Sequence, residues 1–389
     1  METLFEREFV VDEDLIHLNH AGVAPWPRRC TDAVHAFAET MCRRSYAGSF
    51  PGWLDTEQRL RERLARMIHA PSPDDIALLK NTSEALSQVA RGLDWRAGDR
   101  IVVLAEEFVS NLVAWEALAD RGVELVRVVP AADDSPEDAL ERACSDGVRL
   151  LSVSTVQYGS GTRIDVERLG AFCRANGVLF CIDAVQSLGA LRFSALAAHA
   201  DFVVAGSHKW LMSPFGVALF YCRASLRDTL LPLSHGWHTL RDPMRFSGTL
   251  AEIESSARRF EAGTANWAGI LGFEATLSLF EEIGAADIER RVLDNAAWLA
   301  DALAARPGVT LVTPRTTGRF GGSVCVAVDD IDHVAIAERL EQAGVLCAAR
   351  GPALRFSAHC YNTRGQLEAA LQSFDGACYA LNTRLKRNP

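Results

Sequence analysis

The chain has 389 residues, 49% hydrophobic and 23% charged, the balance of a globular protein and, at roughly 100–200 residues per domain, the length of a two-domain enzyme. Its net charge of −10 argues against a nucleic-acid partner, because phosphate backbones are met by basic fields. No uncharged apolar run reaches the about 18 residues of a membrane span, and the acidic start lacks the basic and apolar regions of a signal peptide, so we expect a cytoplasmic protein with no membrane partner.

The first strong pattern is an amphipathic helix over 53–69, with Leu54, Leu60, Leu64 and Ile68 on or near one face. Short apolar runs, most of them rich in β-branched residues, then read as buried strands at 76–79, 101–104, 125–129, 150–153, 179–182, 202–205 and 217–221. Helical spacing lies between several of them, at 83–93, 111–121 and 166–176, each stretch ending near Gly or Asn. This alternation predicts an α/β fold, a mostly parallel sheet covered on both faces. Beyond Arg258 the pattern changes. Long helices at 269–283 and 286–305 lead into a smaller α+β unit with strands at 309–312, 323–328 and 354–357 and helices at 334–343 and 364–379. The expected division is a large domain, 1–265, with an N-terminal arm of roughly 1–30, and a small C-terminal domain, 266–389.

Two residues at strand ends carry the first chemical signal. Gly206-Ser207-His208-Lys209-Trp210 follows one apolar strand, which puts a lysine where open α/β sheets bind ligands. Asp183 ends another. A buried carboxylate is costly unless it meets a positive group. The protonated pyridine nitrogen of pyridoxal 5'-phosphate (PLP) is such a group, and a lysine holds the aldehyde of that cofactor. Asn81-Thr82-Ser83-Glu84, between a strand and a helix, offers free N–H groups and hydroxyls to a phosphate. It also reads as a capping box, and the two readings are compatible. No G-x-G-x-x-G stands in this setting, so a nicotinamide-binding fold has no support. The ten cysteines show no C-x-x-C spacing and mostly sit in apolar runs; they read as buried reduced thiols.

Taken in order, Leu18-Asn19-His20-Ala21-Gly22, Asn81-Thr82-Ser83-Glu84, Glu107-Phe108, 154–157, 183–186, Ser207-His208-Lys209, Gly263-Thr264 and Arg355 resemble the landmarks of class V aminotransferases of PLP fold type I. That group includes cysteine desulfurases, isopenicillin-N-epimerase-like proteins and kynureninases. The resemblance runs from about Leu18 to Leu371. It implies that Lys209 forms the Schiff base and moves the substrate's α-proton, and that Asp183 pairs with the pyridine nitrogen. It implies that Phe108 stacks on the cofactor, that Gln157 and Gln186 lie near its hydroxyl, and that Thr82, Ser83, Ser207 and His208 touch its phosphate. Relatives often carry the phosphate-binding serine one residue earlier, where this chain has Gly206. Thr264 matches a loop that completes the phosphate cup of a neighbouring subunit, implying a homodimer. Arg355 matches the arginine that clamps a substrate carboxylate, a task suited to a planar two-pronged donor.

One departure stands out. Cysteine desulfurases carry a nucleophilic Cys on a loop shortly before that arginine. Here the nearest is Cys347, in an apolar run close to Arg355, so persulfide chemistry on it is not expected. His235 and His238 have metal-like types without a full ligand set; they read as structural, and no metal is expected. The expected activity is that of a PLP enzyme on an amino acid as its small-molecule substrate, an aminotransferase first. A C–S lyase without a cysteine nucleophile, or an epimerase, is the alternative; a PLP-binding protein without turnover ranks last.

Overall fold

The computed structural model describes residues 1–144, 147–245 and 248–385. The chain opens with α1 (Glu2–Glu8) and the short strand β1 (Ile16–His17), followed by α2 (Arg28–Arg44) and α3 (Phe50–Met67). The strands of the large sheet come next: β2 (Ile76–Leu79), β3 (Arg100–Leu104), β4 (Glu124–Val128), β5 (Val148–Ser154), β6 (Leu179–Asp183), β7 (Phe202–Gly206) and β8 (Ala218–Cys222). Between them lie α4 (Thr82–Gly92), α5 (Ser110–Glu116), α6 (Pro136–Ala143) and α7 (Val166–Asn176). Spatially the strands run β2-β8-β7-β6-β5-β3-β4. Only β8 is antiparallel to its neighbours, so the other six point their carboxyl ends at one edge.

Local chemistry accounts for these elements. Val102, Leu104, Val153, Ile182 and Val203 feed an apolar cluster on one face, while Ile101, Val103, Leu150, Cys181 and Val204 feed a cluster on the other. A strand sends alternate side chains to opposite faces, so burial on both makes the run continuously apolar. Asn81 caps α4 by accepting the Glu84 N–H at 2.9 Å. Asp165 caps α7, and Gly177 closes it at φ 69°, a left-handed conformation that glycine adopts without a Cβ clash.

The rest of the chain is α8 (Trp267–Ile283), α9 (Ala285–Ala304), β9 (Val309–Leu311), β10 (Ser323–Val328), α10 (His333–Gln342), β11 (Val345–Leu346), β12 (Ala348–Arg350), β13 (Ala353–Ser357) and α11 (Arg364–Leu385). An antiparallel sheet, β12-β13-β10-β9, carries its own core of Leu299, Val324, Phe356 and Phe374. These are the large mostly parallel sheet and the smaller α+β unit expected of fold type I. The cores divide inside α9: Ile288 and Val292 belong to the large-sheet cluster, Ala296 and Leu299 to the small one. Helix α8 packs on α2 and α3. The arm also crosses between the two bodies, because β1 pairs with β11. A cut near residue 265 therefore does not coincide with the division of the cores. Among the described residues no helix is long and apolar enough to cross a membrane.

Candidate active site

The site lies at the carboxyl edge of the large sheet. In-register pairing aligns Ser154 with Asp183 and Asp183 with Val204, so the ends of β5, β6 and β7 are neighbours there. Lys209 follows β7. Its ammonium lies 5.3 Å from the centroid of the Phe108 ring, which stands edge-to-face on Tyr158 with centroids 5.2 Å apart. Burial pushes the Lys209 amine down to about 8; Asp183 opposes that shift, and the charges of Arg355 and Arg350 add to it. Asp183 is buried, its Oδ1 accepting the Val185 N–H at 2.9 Å. Burial raises this carboxyl to about 7 and nearby Glu107 adds to the rise, while the Val185 N–H and Lys209 oppose it.

Arg355 comes from β13 and is only 1% exposed. Its Nη1 donates to Tyr158 O at 2.9 Å, and its Nε is buried with no partner among the described residues. No carboxylate pairs with it among those residues. Burial lowers this guanidinium to about 10, Cys325 opposing and Arg350 adding to the effect. A buried charge of this kind is costly until an anion meets it.

The residues expected to meet a phosphate gather at the start of α4 and the end of β7. Gly206 N donates to Thr82 Oγ1 at 3.0 Å, tying α4 to the end of β7. A Cβ on Gly206 would stand 3.2 Å from the His208 ring and 3.3 Å from Thr82 Oγ1; the glycine that replaces the usual serine keeps this corner open. Ser83 is exposed, and its hydroxyl meets that of Ser110 at 2.9 Å. The His208 ring stacks on Phe215 at 5.2 Å and is held neutral, burial lowering it to about 4 with Lys209 adding to the effect.

Three further expected contacts differ in how free their side chains are. Ser207 is fully buried and donates its hydroxyl to Pro214 O, holding the following loop; that hydroxyl is not offered to an anion. Gln186 has both ends of its amide engaged, donating to Ala21 O at 3.1 Å and accepting from Trp210 Nε1 at 3.0 Å. It fastens the N-terminal arm beside the lysine. Thr264 is exposed and lines a cleft of about 630 Å³ with Lys80, Glu84 and Gly216. Gln157, by contrast, keeps a buried Oε1 with no partner.

Sequence reasoning counted Glu107 and His20 among its landmarks and named the arm, but gave neither side chain a role. Glu107 lies buried among Ser154, Gln157 and Asn111. Its spacing from Asn111 and Trp115, four residues each on one helical face, was the available signal. His20 is buried between Ser357 O and Tyr361 OH, both at 2.9 Å. Elsewhere Glu57, His238 and Glu261 bring ligand atoms within 4.8 Å of one another. Arg61 already sits among them, on Glu261 at 2.7 and 3.0 Å and on Glu57, so a cation there would face a fixed positive charge. His235 is exposed.

The donor set fits PLP. An acid ends β6, an amine stands beside an aromatic face, a helix start with a hydroxyl suits a phosphate, and Gln157 Oε1 awaits a partner. The sequence matches the family profile described as "Aminotransferase class-V" over residues 19–370. A probable cysteine desulfurase of Methanothermobacter thermautotrophicus is 28% identical, over 95% of this chain and 93% of that one. The uncharacterized aminotransferase YcbU of Bacillus subtilis is 30% identical, over 80% and 81%. The cysteine desulfurase CsdA of Escherichia coli shares the fold at TM-score 0.87 and 21% identity, covering 97% and 98%. A mutant of C-DES, solved with glycine covalently linked to its PLP cofactor, does so at TM-score 0.88 and 20% identity, over 96% and 99%. The relatives' names lean toward desulfurases, so transamination gains no particular support over carbon–sulfur chemistry. The chain belongs to the class V aminotransferase family, whose cofactor is pyridoxal 5'-phosphate.

Proposed function

We propose that this enzyme acts at the α-carbon of a sulfur-containing amino acid and breaks its β-carbon–sulfur bond without a cysteine nucleophile. One observation carries the reading: a lysine amine lowered to about 8 stands within the field of a buried arginine that has no anionic partner. PLP, when bound, supplies the electron sink for charge at the α-carbon, and Asp183, Phe108, Thr82 and His208 would hold it. Arg355 binds the substrate carboxylate and orients the α-hydrogen. The Lys209 amine, its hold on a proton weakened by its surroundings, takes that hydrogen as a general base. The electron pair of the carbon–sulfur bond leaves on sulfur.

The state of the thiols supports elimination over persulfide transfer. Burial pushes Cys325, beside Arg355, up to about 11, and Cys347 up to about 12, where little thiolate exists at neutral pH. Inert thiols suit transamination equally, which is the second reading. The test incubates the holoenzyme with cysteine and cystine. Pyruvate and ammonia are expected, with sulfide from cysteine and cysteine persulfide from cystine, and Cys347→Ala should leave them unchanged. Conversion of the cofactor to its amine form, without pyruvate, would establish transamination instead. Loss of sulfide release in a folded, cofactor-loaded Cys347→Ala would establish the persulfide route.

A further inference from the structure

The buried carboxylate of Glu107 has no part in the steps above. It is 3% exposed and accepts four hydrogen bonds. Oε1 takes the Ser154 N–H at 2.7 Å and Gln157 Nε2 at 2.9 Å. Oε2 takes Asn111 Nδ2 at 3.0 Å and the Ser154 hydroxyl. The direction of this chain is set at its far end. An indole N–H can only donate, and Trp115 Nε1 donates to Asn111 Oδ1 at 3.0 Å; the Ser152 hydroxyl reaches the same oxygen at 2.6 Å. Asn111 must therefore turn its amide nitrogen to Glu107. Burial raises the Glu107 carboxyl, while the hydrogen bonds from Ser154, Gln157 and Asn111 oppose the rise; as a carboxylate it accepts only, and Gln157 then turns its nitrogen to Glu107. What remains is Gln157 Oε1, buried and without a partner among the described residues.

We propose that Glu107 is a positioning residue that fixes the Gln157 amide so that an acceptor oxygen, not an N–H donor, meets the ring hydroxyl of the cofactor. The inference rests on the reading of the site given above, with Gln157 beside that hydroxyl. A hydrogen bond to one protonation state favours that state. An acceptor there favours the form in which the ring oxygen keeps its proton; a donor favours the form in which that proton has moved to the nitrogen joining the cofactor to Lys209. No proton is gained or lost, and the two forms absorb at different wavelengths.

The experiment compares wild type, Glu107→Gln, Gln157→Met and the double variant as holoenzymes at one pH. Borohydride capture on Lys209 measures loading, and the ratio of the two absorption bands is the readout. Glu107→Gln lets the Gln157 amide turn over, and Gln157→Met removes it. Both are expected to shift the ratio toward the deprotonated ring oxygen by about two- to tenfold, the factor an ordinary hydrogen bond is worth. The double variant should shift no further than Gln157→Met alone, because the effect passes through Gln157. A loaded Glu107→Gln with the wild-type ratio overturns the inference. So does a double variant in which the Glu107 effect adds in full. If Glu107→Gln fails to fold, Gln157→Met decides alone, an unchanged ratio overturning the proposal and the expected shift supporting it. If wild type takes up no cofactor on Lys209, the functional reading fails first and this inference with it.

Discussion

Arg355 is the residue whose surroundings constrain function most, since a buried guanidinium with a partnerless Nε is unfavourable until a ligand supplies charge. A carboxylate meets it through two parallel charge-assisted bonds, a geometry an ammonium does not reproduce. Such bonds are worth roughly 1.5–3 kcal/mol, so Arg355→Lys should lower kcat/KM for an amino acid by about ten- to a hundredfold. The cofactor spectrum should hold, and an amine lacking the carboxylate should lose little further. Equal losses for amine and amino acid would make Arg355 structural. At this scale Lys209 and Asp183 stand out in the sequence because one closely follows and the other ends a run of apolar strand residues, where a charge is conspicuous. Ser207 and Gln186 show what residue type leaves open. Residue type says that a hydroxyl or amide can bind, but Pro214 O, Ala21 O and Trp210 Nε1, which occupy those groups, come from loops and an arm brought in by the tertiary fold.

Among the elements, the sheet strands and α7 were plain in the sequence because burial on both faces, and caps at both ends, leave continuous marks. The helix α2 was missed. Only Cys30 of its seventeen residues is buried, so its apolar stripe is thin. The two-residue pair β1–β11 is too short to carry a period, yet it anchors the arm. From it the backbone passes His20 N to Ser357 O at 3.2 Å and Ala24 N to His208 O at 3.0 Å. The arm also sets His17 edge-to-face on His20, and His20 against His359. Burial lowers His17 and His359 to about 4, and His20 well below its ordinary range, with neighbouring histidines adding to the effect on His20 and His359. These rings are neutral in the fold and charge readily once it opens. Their contribution is therefore full above the ordinary value of 6.5 and is lost as pH falls from there through about 4. The expected outcome is a fall in Tm across that window, with backbone amides of 16–24 losing hydrogen-exchange protection before those of β5–β7. His20→Gln, which keeps one donor and one acceptor without a charge, should flatten part of the slope. A Tm independent of pH from 6.5 to 4 would contradict the burial of these rings.

For the whole molecule, the surface around Thr264 points to a second copy of the chain. Thr264 is exposed, and Asn266, two residues on, donates to Phe215 O at 3.0 Å. Phe215 is 57% exposed, and Leu233 and Met244, which line clefts with Thr264, are each 45% exposed. Exposed apolar groups gathered around one loop are what a subunit interface covers. We infer a homodimer in which Thr264 completes the phosphate site of the neighbouring subunit, and mixed dimers test it. Lys209→Ala removes the amine. Thr264→Glu sets a carboxylate against the phosphate and should abolish cofactor retention. Each variant alone should be inactive while sedimenting as a dimer. In a mixed dimer with Thr264 acting across the interface, one site collects both lesions. The other receives Lys209 from one chain and Thr264 from its partner, and is intact. Mixing under subunit exchange should then restore activity. If Thr264 serves its own chain's site, each site of the mixed dimer carries one lesion and no activity returns. Retention of cofactor and turnover by Thr264→Glu alone would remove the residue from the phosphate site altogether.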